Sequence, residues 1–336
     1  MTHYIGVDVG GTKIQASLIK ENGEVIANNR QDTPRNCKSG ITLNAIEDAV
    51  RSLLFDYQLE AKSIDGIGIA VPGVVVPETG YVVVTPNMNL SEVELGKVMT
   101  KRLGKKVTVG NDCNLGTLGE YWIGAGKNAK SVVGIFVGTG IGSGIVIDGK
   151  VVGGAGCSAG EIGHIVVSTP VKNWKKFMDS DKPPIRKKLP KCGCGNYGCL
   201  ESLASRTAIE RFIREAVADG TKSQIKAIND GAPVIKSGTL LKALKAEDKL
   251  VTAVIRYAST VIGYACLTVR HLIDPEVIVL GGGVIEACHN FMLPIINEVV
   301  ENDQLAVAPS NRRIEVAALG DNAVVVGAAA LAKEKV

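Results

Sequence analysis

Apolar and polar positions along this chain fall into two blocks, each opening on strands and passing into helices. The run "YIGVDVGG" (4–11) is apolar almost throughout and ends in glycines, the pattern of a buried strand with a sharp stop. "IQASLIK" and "GEVIANN" read as further strands, with "KENG" as a turn, so the block opens as a meander and not as strand–helix–strand. A helical period then covers Ile41 to Leu59. "IDGIGIAVPG" predicts a buried strand ending at Pro72-Gly73, and "KKVTVGND" a short strand leading into a helix over "NLGTLGEYWIG". The second block repeats the opening, since "SVVGIFVGTGIGSGIVIDGKVV" predicts two strands pivoting on glycines and a third after "DGK". Helices dominate from about Glu201 to His271, "PEVIVLGGGV" is a late buried strand, and "NAVVVGAAALAKE" is a closing helix.

Strands and helices alternating in two blocks predict two α/β domains with a cleft between them. The smaller is expected over residues 1–115 plus the C-terminal helix 321–336, and the larger over 116–320. A length of 336 residues suits two domains, and 46% hydrophobic with 21% charged residues is a globular balance. The net charge of +4 gives no reason to expect a nucleic acid or membrane partner. "MTHYIGVDVG" lacks the basic head and apolar core of a signal peptide, and no run approaches membrane-spanning length. Eight cysteines without an export signal point to a reducing cytoplasm, where clustered thiols hold metal or do chemistry.

Candidate chemistry begins at the glycines. Asp8, Gly10, Gly11, Thr12 and Lys13 sit where a strand turns sharply. Backbone N–H groups there can approach an anion, the threonine hydroxyl and lysine ammonium add donors, and Asp8 can hold Mg²⁺ through water. The plain alternative is a hairpin turn whose glycines supply positive φ. It is not a Walker loop, because G-x4-G-K-[ST] is missing. "GTGIGSG" (138–144) and "LGGGV" (280–284) also end predicted strands, and three such loops together suggest a nucleotide cleft.

Cys192, Cys194 and Cys199 form C-x-C-x4-C, preceded by His164 in a chain with only four histidines. Three thiolates and one imidazole make a closed, tetrahedral structural Zn²⁺ site, and the glycines at 193, 195 and 198 allow the tight backbone it needs. No C-x-x-C is present for a redox pair; an unmetallated cluster is the plain alternative. A metal tying His164 to the cysteines would also turn Glu161 and Glu201 toward one pocket, where carboxylates can pair with a ligand's donors. Glu201 also reads as a helix N-terminal charge. Asp112, in "GNDCN", reads equally as a helix N-cap or as a general base, and position alone does not separate these.

These motifs resemble the ROK family of sugar kinases and repressors. The matching residues are "DVGGTK" (8–13), "GND" (110–112), "GTGIGSG", "EIGH" (161–164), "CGCGNYGCLE" (192–201), "DPEVIVLGGGV" (274–284) and "GDNAVVVGAA" (320–329), in the family's order. The resemblance implies a two-domain actin-like ATPase (ribonuclease H-like) fold with an interdomain cleft that closes over substrate. It implies an ATP-dependent hexose kinase acting at the 6-hydroxyl, with glucose the first expectation and N-acetylglucosamine or N-acetylmannosamine the alternative. By the same resemblance Asp112 is the general base, while Asn111, Gly73, Glu161, His164 and Glu201 hold the sugar, with Asn87 a weaker candidate. Gly10–Lys13 and Gly138, Thr139 and Gly140 would hold ATP phosphates, Asp8 would organise Mg²⁺, and Gly281, Gly282 and Gly283 would make room for adenosine. Relatives of this kind are commonly homodimers or homotetramers.

Two departures qualify the resemblance. The 27 residues between His164 and Cys192 exceed the family's usual spacing, and carry eight Lys or Arg against only Asp179 and Asp181. The basic stretch 171–191 reads as a solvated loop, a lid, a subunit contact or a track for a polyphosphate donor. The family's repressors carry a helix-turn-helix ahead of the first glycine motif, which here begins at residue 8, so a sugar-sensing, non-catalytic regulator is the less favoured expectation.

Overall fold

A computed structural model describes residues 2–35, 37–86, 88–167, 189–225, 229, 232–305 and 311–334. Asn87 and nearly all of the basic stretch 171–191 lie outside the described residues. The chain divides into two compact units, one of residues 1–134, 143–160 and 317–336 and the other of 135–142 and 161–316.

The first unit is built on strands β1 (His3–Val9), β2 (Lys13–Lys20), β3 (Val25–Asp32), β4 (Gly66–Val71) and β7 (Val107–Asn111), in the order β3-β2-β1-β4-β7. The expected meander is there, with β1, β2 and β3 antiparallel, and β4 and β7 added in parallel. A ribbon of β5 (Val74–Val76) and β6 (Tyr81–Val84) follows β4. Helix α1 (Ser39–Asp56) buries Leu43, Ile46, Val50 and Leu53 at three- and four-residue spacing, in one core with Ile5, Val7, Ile67 and Ile69 of the sheet. It stops three residues earlier than the periodicity predicts, where Gln58 turns to φ +52. Helix α2 (Leu95–Leu103) was not foreseen; its apolar positions are few and it ends on the left-handed Gly104.

Helix α9 (Ala323–Glu334) packs closely on α3 (Asp112–Trp122) and on β1 and β4. The expected boundary at residue 115 therefore falls inside an unbroken helix that stays whole within the first unit. Glu120, wholly buried, shows why the helix belongs there. Its carboxylate accepts N–H bonds from Ala125 (2.8 Å), Ala318 (3.0 Å) and Leu319 (2.8 Å), tying α3 to the segment that leads into α9.

A second sheet has the order β10-β9-β8-β11-β12, from β8 (Ser131–Val137), β9 (Ile141–Ile147), β10 (Lys150–Val151), β11 (Val277–Gly281) and β12 (Arg313–Val316). In each sheet the strands run third, second, first, fourth, fifth, so the recurrence of strand, glycine-rich loop, strand reflects a repeated topology. The second unit's helices are α4 (Leu200–Ala204), α5 (Arg206–Ala218), α6 (Ser237–Lys245), α7 (Lys249–Leu272) and α8 (Gly283–Glu301). Helix α7 corrects one expectation: it is long and apolar enough to cross a membrane by length and composition. Half of that apolar window is buried, with Ile255, Ile262, Cys266 and Val269 facing inward and α8, α5 and α4 packed against it, as in a core helix.

Candidate functional site

In the first unit the first glycine loop is the tip of the β1–β2 hairpin, closed by Gly10 N–H donating to Lys13 O at 3.0 Å. Thr33, a residue no motif singled out, braces it: its N–H donates to Thr12 O at 3.0 Å and its hydroxyl to Gly10 O at 2.6 Å. Neither Gly10 nor Gly11 has a positive φ, so the plain turn reading does not account for them. Nothing stands within 4 Å of where a Cβ on Gly11 would lie. The fold itself makes no demand for glycine there, which leaves the space for something that approaches the backbone.

Asp8, at the foot of this loop, is half-buried, and burial followed by the Asp112 charge pushes its carboxyl up to about 7, against the pull of Lys13. Asp112 is itself raised, by burial, while the N–H of Cys113 opposes the shift. The charge of Asp112 raises Asp8 while Lys13 opposes it, and a divalent cation would relieve such a carboxylate pair.

Asn111 takes the capping role that the sequence offered to Asp112. The N-cap of α3 is Asn111, whose Oδ1 accepts from Asn114 N at 3.0 Å, and Asp112 is the first helical residue. Asn111 Nδ2 also donates to Gly73 O at 3.0 Å, so Gly73, Asn111 and Asp112 form one connected group. Asp112 Oδ1 accepts from Cys113 N at 2.8 Å, and side-chain hydrogen bonds from Cys113 and Asn111 also favour the charged carboxylate. The capping duty is discharged next door.

In the second unit the loop after β8 is held by the start of α5. Gly138 O accepts from Arg206 N at 2.9 Å, Thr139 O from the Thr207 hydroxyl at 2.8 Å, and Thr139 Oγ1 from Arg206 at 3.2 Å. Gly138, like Gly11, meets nothing within 4 Å. Gly140 is different: a Cβ there would run into Glu201 Oε2, the oxygen that accepts from Ile141 N at 3.0 Å. Glu201, in the first turn of α4, is thus fastened to this loop as well as placed at a helix start. Gly281 ends β11, Gly282 turns to φ +83 hard against the Val137 backbone, and Gly283 opens α8, so the last two glycine loops adjoin.

The cysteine motif folds back on the strand-like segment after His164. Val167 N donates to Gly198 O at 3.1 Å and Leu200 N to Ile165 O at 3.0 Å, which brings the knuckle to the histidine. The donor atoms of His164, Cys192, Cys194 and Cys199 all lie within 4.8 Å of one another. Cys194 and Cys199 sulfurs are 3.7 Å apart, and Cys192 Sγ is 3.5 Å from His164 Nδ1. A zinc tetrahedron with ordinary bond lengths has edges of about 3.8 Å between sulfurs and about 3.6 Å between sulfur and nitrogen. The residues fit the ion. Burial raises Cys192 and carries Cys199 up to about 12, whereas the backbone N–H of Asn196 lowers Cys194. His164 turns its other nitrogen outward, Nε2 lying 4.0 Å from Glu161 Oε2.

The chain matches the model described as the ROK family over residues 4–335. It is 32% identical over 335 residues to the glucokinase of Halalkalibacterium halodurans, covering 99% of this chain and 95% of the relative. It is also 28% identical over 327 residues to the xylose repressor of Caldicellulosiruptor bescii, covering 97% of this chain and 77% of the relative. Among solved structures it is similar to a ROK family glucokinase from Streptomyces griseus in complex with glucose and AMPPNP, 28% identical with a TM-score of 0.79 and 99% of both chains covered. With the glycine loops, the cysteine knuckle and a match of this extent, the chain belongs to the ROK family.

Proposed function

We propose that this ROK protein transfers the terminal phosphoryl group of ATP to the 6-hydroxyl of glucose. That it is an ATP-dependent sugar kinase follows from full-length similarity to glucokinases, one of them bound to glucose and an ATP analogue. The glucose assignment and the residue roles are our reading. The observation that carries the roles is the division of labour at the start of α3, where Asn111 is the helix cap and Asp112, the first helical residue, is relieved of that duty.

Asp112 accepts the proton of the 6-hydroxyl as that oxygen bonds to the γ-phosphorus. The bond from phosphorus to the bridging oxygen breaks, and ADP leaves with the electron pair. A carboxyl raised by burial is a better proton acceptor than an exposed one, provided it is ionised at the working pH. Lys13 and the N–H groups of loop 10–12 are assigned to the charge on the phosphates, as by the family resemblance are those of loop 138–140. Mg²⁺, held beside Asp8 through water, would neutralise part of that charge. Gly73, Asn111 and Asp112 are assigned to the sugar, and the family resemblance assigns Glu161, His164 and Glu201 to it as well.

His164 can serve both as metal ligand and as sugar donor because its two nitrogens differ. His164 Nδ1 with Cys192, Cys194 and Cys199 would hold Zn²⁺, which would fix the ring and leave the Nε2 proton for a hydroxyl beside Glu161. The test is Asp112→Asn. It should lower kcat by ~10²–10⁴-fold while glucose binding by calorimetry stays within a few-fold, since the amide still hydrogen-bonds but takes no proton. Near-normal turnover removes Asp112 from the mechanism.

A further inference from the structure

The hairpin tip that carries Lys13 is gripped by a turn from the far end of the sequence, Gly320–Asn322, just before α9. Lys13 Nζ stands 3.0 Å from Asp321 Oδ2, and Arg30 reaches the same oxygen at 3.4 Å. Arg30 Nε donates to Gln15 Oε1 at 2.9 Å, and Gln15 Nε2 donates to Asn322 Oδ1 at 3.2 Å. Since Asn322 adjoins Asp321, these contacts close a ring. Gln15 is wholly buried and also donates to Asn28 and Ser17, so the ring is anchored in the sheet.

Strand register puts this ring on the working face. Asp8 pairs with Gln15 across β1–β2 and Gln15 with Arg30 across β2–β3, so the three stand in one row. Lys13, two residues before Gln15, points to the same side. A lone exposed ion pair would be worth only ~0.2–1 kcal/mol. Here the carboxylate is fixed by a second cation and a neighbouring ring, so it offers Lys13 one position and not many. A long, four-torsion side chain that is already ordered loses less freedom when the phosphate arrives. Because Arg30 offsets the Asp321 charge, the lysine's own positive charge remains uncancelled by the trio.

We propose that Asp321 is a positioning residue for phosphoryl transfer, holding the Lys13 ammonium where the transferred group will carry its charge. This rests on the reading of Lys13 as a phosphate ligand. The experiment is a double-mutant cycle on the full chain with Lys13→Ala, Asp321→Asn and both, plus Asp321→Glu, measuring kcat, both KM values and melting temperature. Asp321→Asn should lower kcat about tenfold with the glucose KM and melting temperature little changed, and Asp321→Glu should recover most of the loss. On the Lys13→Ala background Asp321→Asn should cost nothing further. If Lys13→Ala itself leaves kcat intact, the phosphate role of Lys13 falls and this inference with it. If Lys13→Ala is crippling but Asp321→Asn stays within twofold of wild type, or costs as much on either background, only the role of Asp321 is overturned.

Discussion

Burial and a like charge act together on Asp8, and their joint effect has a measurable sign. The carboxyl moves from an ordinary value of 3.8 to about 7, so between those limits the native state holds a proton that the unfolded chain has released. The group's contribution to stability is fully present below the unfolded value and is lost as pH rises through the folded one. Asp8→Asn should therefore leave the melting temperature near wild type at about pH 4 and raise it above wild type at about pH 8, without nucleotide or divalent ions. A wild-type advantage over the mutant that grows with pH would contradict this. Sequence reasoning found Asp8 and Asp112 from their places at strand ends. It could not see that the charge of Asp112 raises Asp8, because their proximity depends on parallel pairing of β1, β4 and β7. Nor could it choose the cap of α3, since Asn111 and Asp112 are equally good caps and only the backbone geometry selects one.

At the scale of elements, the glycine loops divide into those the fold requires and those it does not. Gly11 has open space and an ordinary φ, so Gly11→Ala should keep the melting temperature and raise the ATP KM, by roughly tenfold if the methyl excludes one phosphate contact worth ~1.4 kcal/mol. Gly140→Ala should instead displace the Glu201 carboxylate and weaken glucose binding more than ATP binding. Equal losses of both ligands in either variant would refute the division. The knuckle makes a similar claim. Cys194→Ser should lower zinc content and glucose affinity together while ATP binding survives better, because the metal would orient His164 and none of its four candidate ligands lies in a glycine loop at 10–13, 138–140 or 281–283. A zinc-poor mutant with unchanged glucose affinity would break the link. The knuckle was legible because thiolate spacing is chemically restrictive. The struts behind the loops were not: Thr33, Arg206, Thr207 and the Glu201–Ile141 bond join residues far apart in sequence. Helix α8 was overlooked although Ile285, Cys288, Met292 and Ile296 keep a helical period, because Pro294 interrupts the pattern.

For the whole molecule, the repeated strand order was readable as two similar openings, "DVGGTK" and "GTGIGSG", each following an apolar strand. The limits of the units were not, since the chain crosses between them inside β8 and β9 and the deciding contacts, such as those of Glu120, are long-range. Function at this scale turns on one question, whether ATP is spent on a hexose and on which. The direct measurement is ADP release coupled to product identification, with purified protein, ATP and Mg²⁺, across glucose, N-acetylglucosamine, N-acetylmannosamine and no sugar. The account predicts glucose-dependent ADP release matched mole for mole by glucose 6-phosphate, and its loss in Asp112→Asn. Phosphorylation only of an N-acetyl amino sugar would contradict the glucose assignment, and sugar binding without phosphorylation of any hexose would contradict the kinase.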